Sequence, residues 1–272
     1  GGLVGSEMCI RDRNYLETAV ELAHDAGAVM LQHFRMGVAA DRKPDNSPVT
    51  VADETINQLV IDRIVAQYPE HGVIGEEGSV ERPGARLKWV CDPVDGTLPY
   101  TLGIPTNVFC IALVEDGDPI VSVIFDPYMD RMYTATVGEG AFRNGERLSV
   151  SETGGLEDAV MNVAGRSDVG AAALGGPIYA DLENLGVRLL DHSSYVYEAT
   201  LVAAGMFDAA VFTKKTPWDA AAGALLVSEA GGTATDVTGS GQRYDGAVRG
   251  LILSNGKVHE DLQRVVARHL ID

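Results

Sequence analysis

The sequence predicts a layered α/β fold in which helices sandwich sheets. Three observations carry this reading. Two stretches of helical periodicity open the chain, a series of strands broken by turn residues follows, and the second half mixes helices with strands. That order differs from the regular strand–helix alternation of a doubly wound sheet. At 272 residues the chain is long enough to bury a substantial core without staples.

In residues 15–36, Leu16, Ala19, Val20, Ala23, Ala26, Val29, Met30 and Phe34 recur mostly at three- and four-residue spacing, the stripe of an amphipathic helix. Residues 1–13 show neither helical nor strand periodicity and read as a non-native or disordered arm. Residues 39–48 are polar, carry Pro44 and Pro48, and read as a loop. A second helix is expected from about Asp53, with Ile56, Leu59, Val60 and Ile64 inward and Tyr68-Pro69 as its end. Residues 87–91 form a buried strand that runs into Asp92-Pro93-Val94-Asp95-Gly96-Thr97. Residues 108–114, 120–125 and 132–137 continue as strands, with turn chemistry at 115–119 and at Asp126-Pro127, and 138–144 extends the hairpins. Later strands are expected at 160–163, 187–190, 207–212 and 250–253, and helices at 195–204, 218–230 and 257–270. Without repeats or a linker, residues 14–272 read as one domain, with an α+β half over about 14–150 and an α/β half over about 151–272.

The chain carries 39 acidic and 21 basic residues, a net charge of -18. A nucleic-acid binder needs a basic footprint, so this balance argues against one and fits a soluble protein or sites that hold cations. The three cysteines, Cys9, Cys91 and Cys110, form no CxxC pair. That argues against a disulfide framework or a thiolate zinc site, and reduced cysteine in the cytoplasm is the expectation. No apolar run reaches the roughly 18 residues of a membrane span. Glu7, Arg11, Asp12 and Arg13 interrupt any signal-peptide core in the opening segment. The six histidines are scattered without i, i+4 pairs and read as structural or surface residues. No phosphate-loop, HExxH or nucleophile-elbow motif occurs.

Three acidic segments stand at the edges of apolar elements: Gly75-Glu76-Glu77, Asp92 to Thr97, and Trp218-Asp219. Taken singly, each has a plainer reading as a turn, a solvated loop or a helix cap. Together they suggest more. Pro93 constrains the backbone so that Asp92 and Asp95 can converge, Gly96 allows close approach of a ligand, and Thr97 offers a hydroxyl where a helix can begin. Oxygen donors of this kind suit a hard divalent cation such as magnesium, and a helix start beside a metal suggests phosphate chemistry.

These segments, with Pro48-Val49-Thr50-x-x-Asp53, Trp218-Asp219 followed by Ala222-Gly223, and Glu229-Ala-Gly-Gly232, resemble the inositol monophosphatase family of magnesium-dependent, lithium-sensitive phosphatases. The resemblance runs from Tyr15 through nearly the whole chain. It implies a five-layer αβαβα sandwich, of the type shared with fructose-1,6-bisphosphatase, usually as a homodimer. It implies that Glu76, Asp92, the Val94 carbonyl and Thr97 surround one Mg2+, and that Asp92, Asp95 and Asp219 hold a second, with Glu76 near a third. The amides of Gly96 and Thr97 would receive the phosphate, with Asp95 and Asp219 also at the substrate. Asp53, paired with Thr97, would help activate the attacking water, so Asp53, Glu76 and Thr97 are the expected catalytic residues. No covalent phosphoenzyme is implied.

Several positions depart from the family's pattern. Phe212 stands where enzymes acting on inositol phosphate usually carry an acidic residue, and Tyr195 replaces a small residue of the substrate pocket. Lys214 and Lys215 follow Phe212 and suit a second phosphate or a carboxylate, or a solvated pair. Lys43 lies where the family often has a basic residue, and its simpler reading is a solvated lysine. Pro99 is tolerable in a helix's first turn. A phosphomonoesterase acting on a small polyol or sugar phosphate is therefore expected. Histidinol phosphate, fructose 1,6-bisphosphate and adenosine 3',5'-bisphosphate remain open as substrates, and a catalytically silent binding protein with the same fold is the reading from another class.

Overall fold

The computed structural model describes residues 3–44, 47–165, 174–214 and 216–270, with side chains from residue 14 onward. The first half contains α1 (Leu3–His33), the short hairpin β1 (Asp41–Arg42) and β2 (Pro48–Val49), α2 (Val51–Gln67), β3 (Gly72–Gly75), β4 (Ser79–Val80), β5 (Leu87–Asp95), α3 (Thr97–Leu102), β6 (Val108–Glu115), β7 (Asp118–Asp126), β8 (Arg131–Thr136), β9 (Gly140–Arg143) and β10 (Glu146–Arg147). The second contains β11 (Val160–Val163), α4 (Gly175–Asn184), β12 (Arg188–Leu189), α5 (Tyr195–Ala203), β13 (Ala209–Phe212), α6 (Ala221–Glu229), β14 (Thr233–Thr235), β15 (Leu251–Ser254) and α7 (His259–Ala267).

Eight strands form one sheet in the order β10-β9-β8-β7-β6-β5-β3-β4, and five form another in the order β12-β11-β13-β15-β14. The large sheet is antiparallel except where β3 runs parallel to β5. Side-chain alternation explains the layering. In β6, Phe109, Ile111 and Leu113 pack with α1 and α2, whereas Val108, Cys110, Ala112 and Val114 pack with α5 and α6. The strand therefore reads as an unbroken apolar run, because both faces are covered. In β13, Ala210 and Phe212 face the same middle layer, while Ala209 and Val211 face α4 and α7. The order is thus helix pair, large sheet, helix pair, small sheet, helix pair: the expected five layers.

Three local expectations are corrected. Helix α1 starts at Leu3, twelve residues before the expected helix start at residue 15. Once a helix is nucleated, adding residues costs little, and a weak apolar pattern does not stop it. Helix α4 has no counterpart among the expected elements; Gly175, Gly176 and Pro177 at its start are poor helix formers. Its Ile178 and Leu182 fill the outer core of the small sheet, and that burial outweighs poor propensity. Helix α6 begins at Ala221 rather than 218, after a turn in which the amides of Ala220 and Ala221 both reach the Pro217 carbonyl.

Candidate active site

The site lies where the two halves meet, and a backbone irregularity builds it. Along β5, Asp92 pairs with Cys110 but Asp95 pairs with Val108, so β5 carries one extra residue there. In a regular strand, side chains three residues apart point to opposite faces. The bulge cancels that alternation. Trp89, Cys91 and Val94 all pack toward α1 and α2, which leaves Asp92 and Asp95 together on the opposite face. Pro93, which has no amide to donate, sits inside the irregularity.

Asp219 reaches this point from the other half, in the turn before α6. Oxygens of Asp92, Asp95 and Asp219 all lie within 4.8 Å of one another, and all three residues are buried. Asp219 is not the cap of α6; Ala220 holds that position without a side-chain bond, and Asp219 instead accepts from Thr216 Oγ1. Asp92 Oδ1 accepts the Val94 amide at 3.0 Å. Asp95 is tied to the start of α5: its carboxylate accepts the Ser194 hydroxyl and the amides of Tyr195 (3.1 Å), Val196 (2.8 Å) and Tyr197 (3.3 Å).

Three buried carboxylates at this separation repel one another. Burial first, then the negative charge of Glu76, pushes the Asp92 carboxyl well above its ordinary range. Burial and Asp219 raise Asp95 to about 7, even against its hydrogen bonds from α5. Burial raises Asp219 to about 6, with Lys214 and Thr216 opposing the shift. An oxygen-only, like-charged triad of this kind fits a hard divalent cation, which would remove the repulsion that its own ligands create.

Asp53 stands beside the triad in the first turn of α2. Its Oδ2 accepts the Thr50 amide at 2.8 Å and the Thr50 hydroxyl, which closes the helix N-terminus. Its Oδ1 lies 3.1 Å from Thr97 Oγ1, and that hydroxyl also lies 3.1 Å from the Val94 carbonyl. Burial raises Asp53 to about 6. Gly96 precedes α3 with φ of 88°, and an added Cβ would stand 2.9 Å from Ser194 Cβ and 3.2 Å from the Thr106 carbonyl. Pro99 is the third residue of α3, where its missing amide has no helical partner to lose.

Glu76 lines the same cleft, but its carboxylate turns to Lys43 at 2.7 Å, and Lys43 also pairs with Glu77. The reading of Lys43 as a solvated lysine is thereby corrected. Burial alone would lower its pKa; the bonds to Glu76 and Glu77 reverse that and hold it above the ordinary value. The loop carrying Glu76 is fixed on α2, since Asn57 Nδ2 donates to the Gly78 carbonyl at 3.2 Å. Glu229, by contrast, serves the fold: its two oxygens accept the amides of Gly138 and Gly140 at 2.8 Å each.

The cleft has a volume of about 220 Å3, and Asp191, Ser193, Tyr195 and Lys214 are among the residues that line it. Phe212 does not line it. The ring is buried in the middle layer, edge-on to Tyr195 at 5.2 Å between centroids. Lys214 Nζ sits 5.1 Å over the Tyr195 ring; Lys215 lies outside the described residues. Two histidines have clear structural roles: His71 accepts Trp89 Nε1 at 3.1 Å, and His259 bridges Ser254 and Thr235. Cys91 and Cys110 are buried and free. Among the described residues, no helix is long and apolar enough to cross a membrane. Sequence reading missed Ser194, which anchors Asp95; a serine before a helical stripe was the available signal.

A family model for the inositol monophosphatase family matches residues 12–270. The chain is 32% identical over 252 residues to a fructose-1,6-bisphosphatase/inositol-1-monophosphatase of Thermotoga maritima, covering 92% of this chain and 95% of that protein. It is 32% identical over 248 residues to a histidinol-phosphatase of Chlorobaculum parvum, covering 91% and 94%. The solved structure of a Thermotoga maritima IMPase superimposes with a TM-score of 0.83 at 29% identity, covering 94% and 98%. With the same layers in place, the chain belongs to the inositol monophosphatase family and is a phosphoric monoester hydrolase.

Proposed function

We propose that this chain is a magnesium-dependent phosphomonoesterase that hydrolyses a small polyol or sugar phosphate by direct attack of water. The observation that carries the reading is the buried triad of Asp92, Asp95 and Asp219 beside the Asp53–Thr97 pair. Asp92, Asp95 and Asp219 are the residues to hold one cation, and Glu76, Asp92, the Val94 carbonyl and Thr97 another. Bound Mg2+ would supply neutralising charge to the phosphate and lower the pKa of water. The amides of Gly96 and Thr97, at the start of α3, would receive phosphate oxygens. Asp53, raised toward neutrality by burial, suits a base that takes the water's proton through Thr97 Oγ1.

Asp191 and Ser193 on the cleft wall suit the hydroxyls of a leaving alcohol, and Lys214 suits a second anionic group. The presence of the whole acidic set argues against a silent binding protein. Pairing as a homodimer is supported by exposed Met36, Leu102 and Ile104, which lie together because Met36 packs against Gly103. The free buried cysteines support a reducing compartment, the cytoplasm.

Phosphate release with saturating Mg2+ tests the proposal, on inositol 1-phosphate, histidinol phosphate, fructose 1,6-bisphosphate and adenosine 3',5'-bisphosphate. Turnover of at least one, abolished by EDTA and by Asp95→Asn, is the expected result. Folded, Mg2+-loaded protein that turns over none of the four would overturn it.

A further inference from the structure

Glu198 is a carboxylate with no exposed surface, one turn into α5, and it does not line the cleft. A charge so placed is costly unless its oxygens are satisfied. They are. Oε1 accepts the His192 amide at 2.9 Å, with His192 Nδ1 3.6 Å away. Oε2 accepts Asn162 Nδ2. Asn162 is fully buried on β11, facing the middle layer, while its neighbours Met161 and Val163 face outward.

These bonds join two chain segments that line the cleft. Strand β11 leads directly into Ala164 and Gly165, the turn at 191–194 supplies Asp191 and Ser193, and all four line the cleft. The turn is under constraint. Ser193 has φ of 56°, a region that side chains disfavour, and its amide donates to Asp191 Oδ1 at 2.7 Å. The His192 carbonyl accepts Thr106 Oγ1 at 3.2 Å. The next residue, Ser194, donates its hydroxyl to Asp95. A continuous set of bonds therefore runs from β11 in the small sheet, through Asn162, Glu198 and the 191–194 turn, to Asp95 in the large sheet. The acidic triad draws members from both halves, Asp95 from β5 and Asp219 from the turn before α6.

We propose that Glu198 is a positioning residue that fixes the 191–194 turn against β11 and so sets the approach of Asp95 to Asp219. This rests on the reading of the triad as a cation site. Outer partners that orient metal ligands typically change affinity 10–100-fold when removed. Glutamine preserves the strut, because its carbonyl can accept the His192 amide. Asn162 can rotate to present Oδ1, which makes no hydrogen bond among the described residues.

The test is calorimetric titration of the full chain with Mg2+ in the absence of substrate, alongside hydrogen exchange of the 193–197 amides in the metal-free protein. Glu198→Ala is expected to weaken Mg2+ binding at least tenfold and speed exchange of those amides, and Glu198→Gln to restore both to within about threefold, on the scale of such outer partners. If Glu198→Ala fails to fold, Asn162→Ala carries the test with the same expected loss. Affinity and exchange unchanged in the alanine variant would overturn the proposal, as would a glutamine variant as impaired as alanine. If wild-type protein itself binds no Mg2+ and releases no phosphate, the function proposed above fails. The exchange arm then still decides whether Glu198 holds the turn.

Discussion

Asp219→Asn should make the metal-free protein more stable. Two unit charges 4.8 Å apart, the spacing limit of the triad's oxygens, repel by about 3 kcal/mol at an effective dielectric near 20. The titration of Asp219 leads to a similar figure. A carboxyl moved from its ordinary 3.8 to about 6, chiefly by burial, costs about 3 kcal/mol when ionised. Asparagine keeps an acceptor for Thr216 but gives up the attraction to Lys214, so the expected net gain is about 1–2 kcal/mol. The sign follows from linkage. The folded pKa lies above the unfolded one, so the penalty is absent below about pH 4, grows as pH rises through about 6, and is complete at pH 8. Urea unfolding in EDTA at pH 8 should therefore favour the variant, with about half the advantage at pH 5. Excess Mg2+ should invert the order, because only the wild type keeps all three ligands; at 100 times Kd the ion contributes about 2.7 kcal/mol. A variant less stable than wild type in EDTA at pH 8, or an advantage that does not change between pH 5 and 8, would refute the electrostatic reasoning.

Two further outcomes follow from the geometry. Asp53→Asn should lower kcat by about 10²–10⁴ with little change in KM, the usual span for removing a general base; an unchanged kcat across pH 6–8 would remove Asp53 from the proton path. Gly96→Ala should cost about 1–3 kcal/mol of stability, since alanine must adopt φ of 88° and its Cβ meets Ser194 at 2.9 Å. Thermal unfolding checks it, and a Tm equal to wild type would show that the turn before α3 is not constrained.

Much of this protein was legible in its residues. The strand series, the two opening helices and the apolar α6 followed from side-chain period, because burial on one or both faces imposes it. The acidic segments at 75–77 and 92–97 stood out because carboxylates rarely terminate apolar strands without a partner. Helix α4 was hidden because its stability comes from covering β11 and β12, a term that local propensity does not contain. Lys43 illustrates the same limit: its partners, Glu76 and Glu77, are more than thirty residues away, and no local pattern links them.

What the sequence by itself determined is the list of chemical groups and the period of the elements that carry them. Asp92, Asp95 and Thr97 are close in the chain, so covalent geometry already confines them to one neighbourhood. Only the tertiary structure decided that Asp92 and Asp95 share a face, because that depends on where β6 accepts the extra residue of β5. It also decided that Asp219 joins them, that Phe212 belongs to the core and not the cleft, and that Glu198 and Asn162 brace the 191–194 turn. Each of these is a long-range contact whose free energy depends on burial and on partners that the chain meets only after its layers have packed.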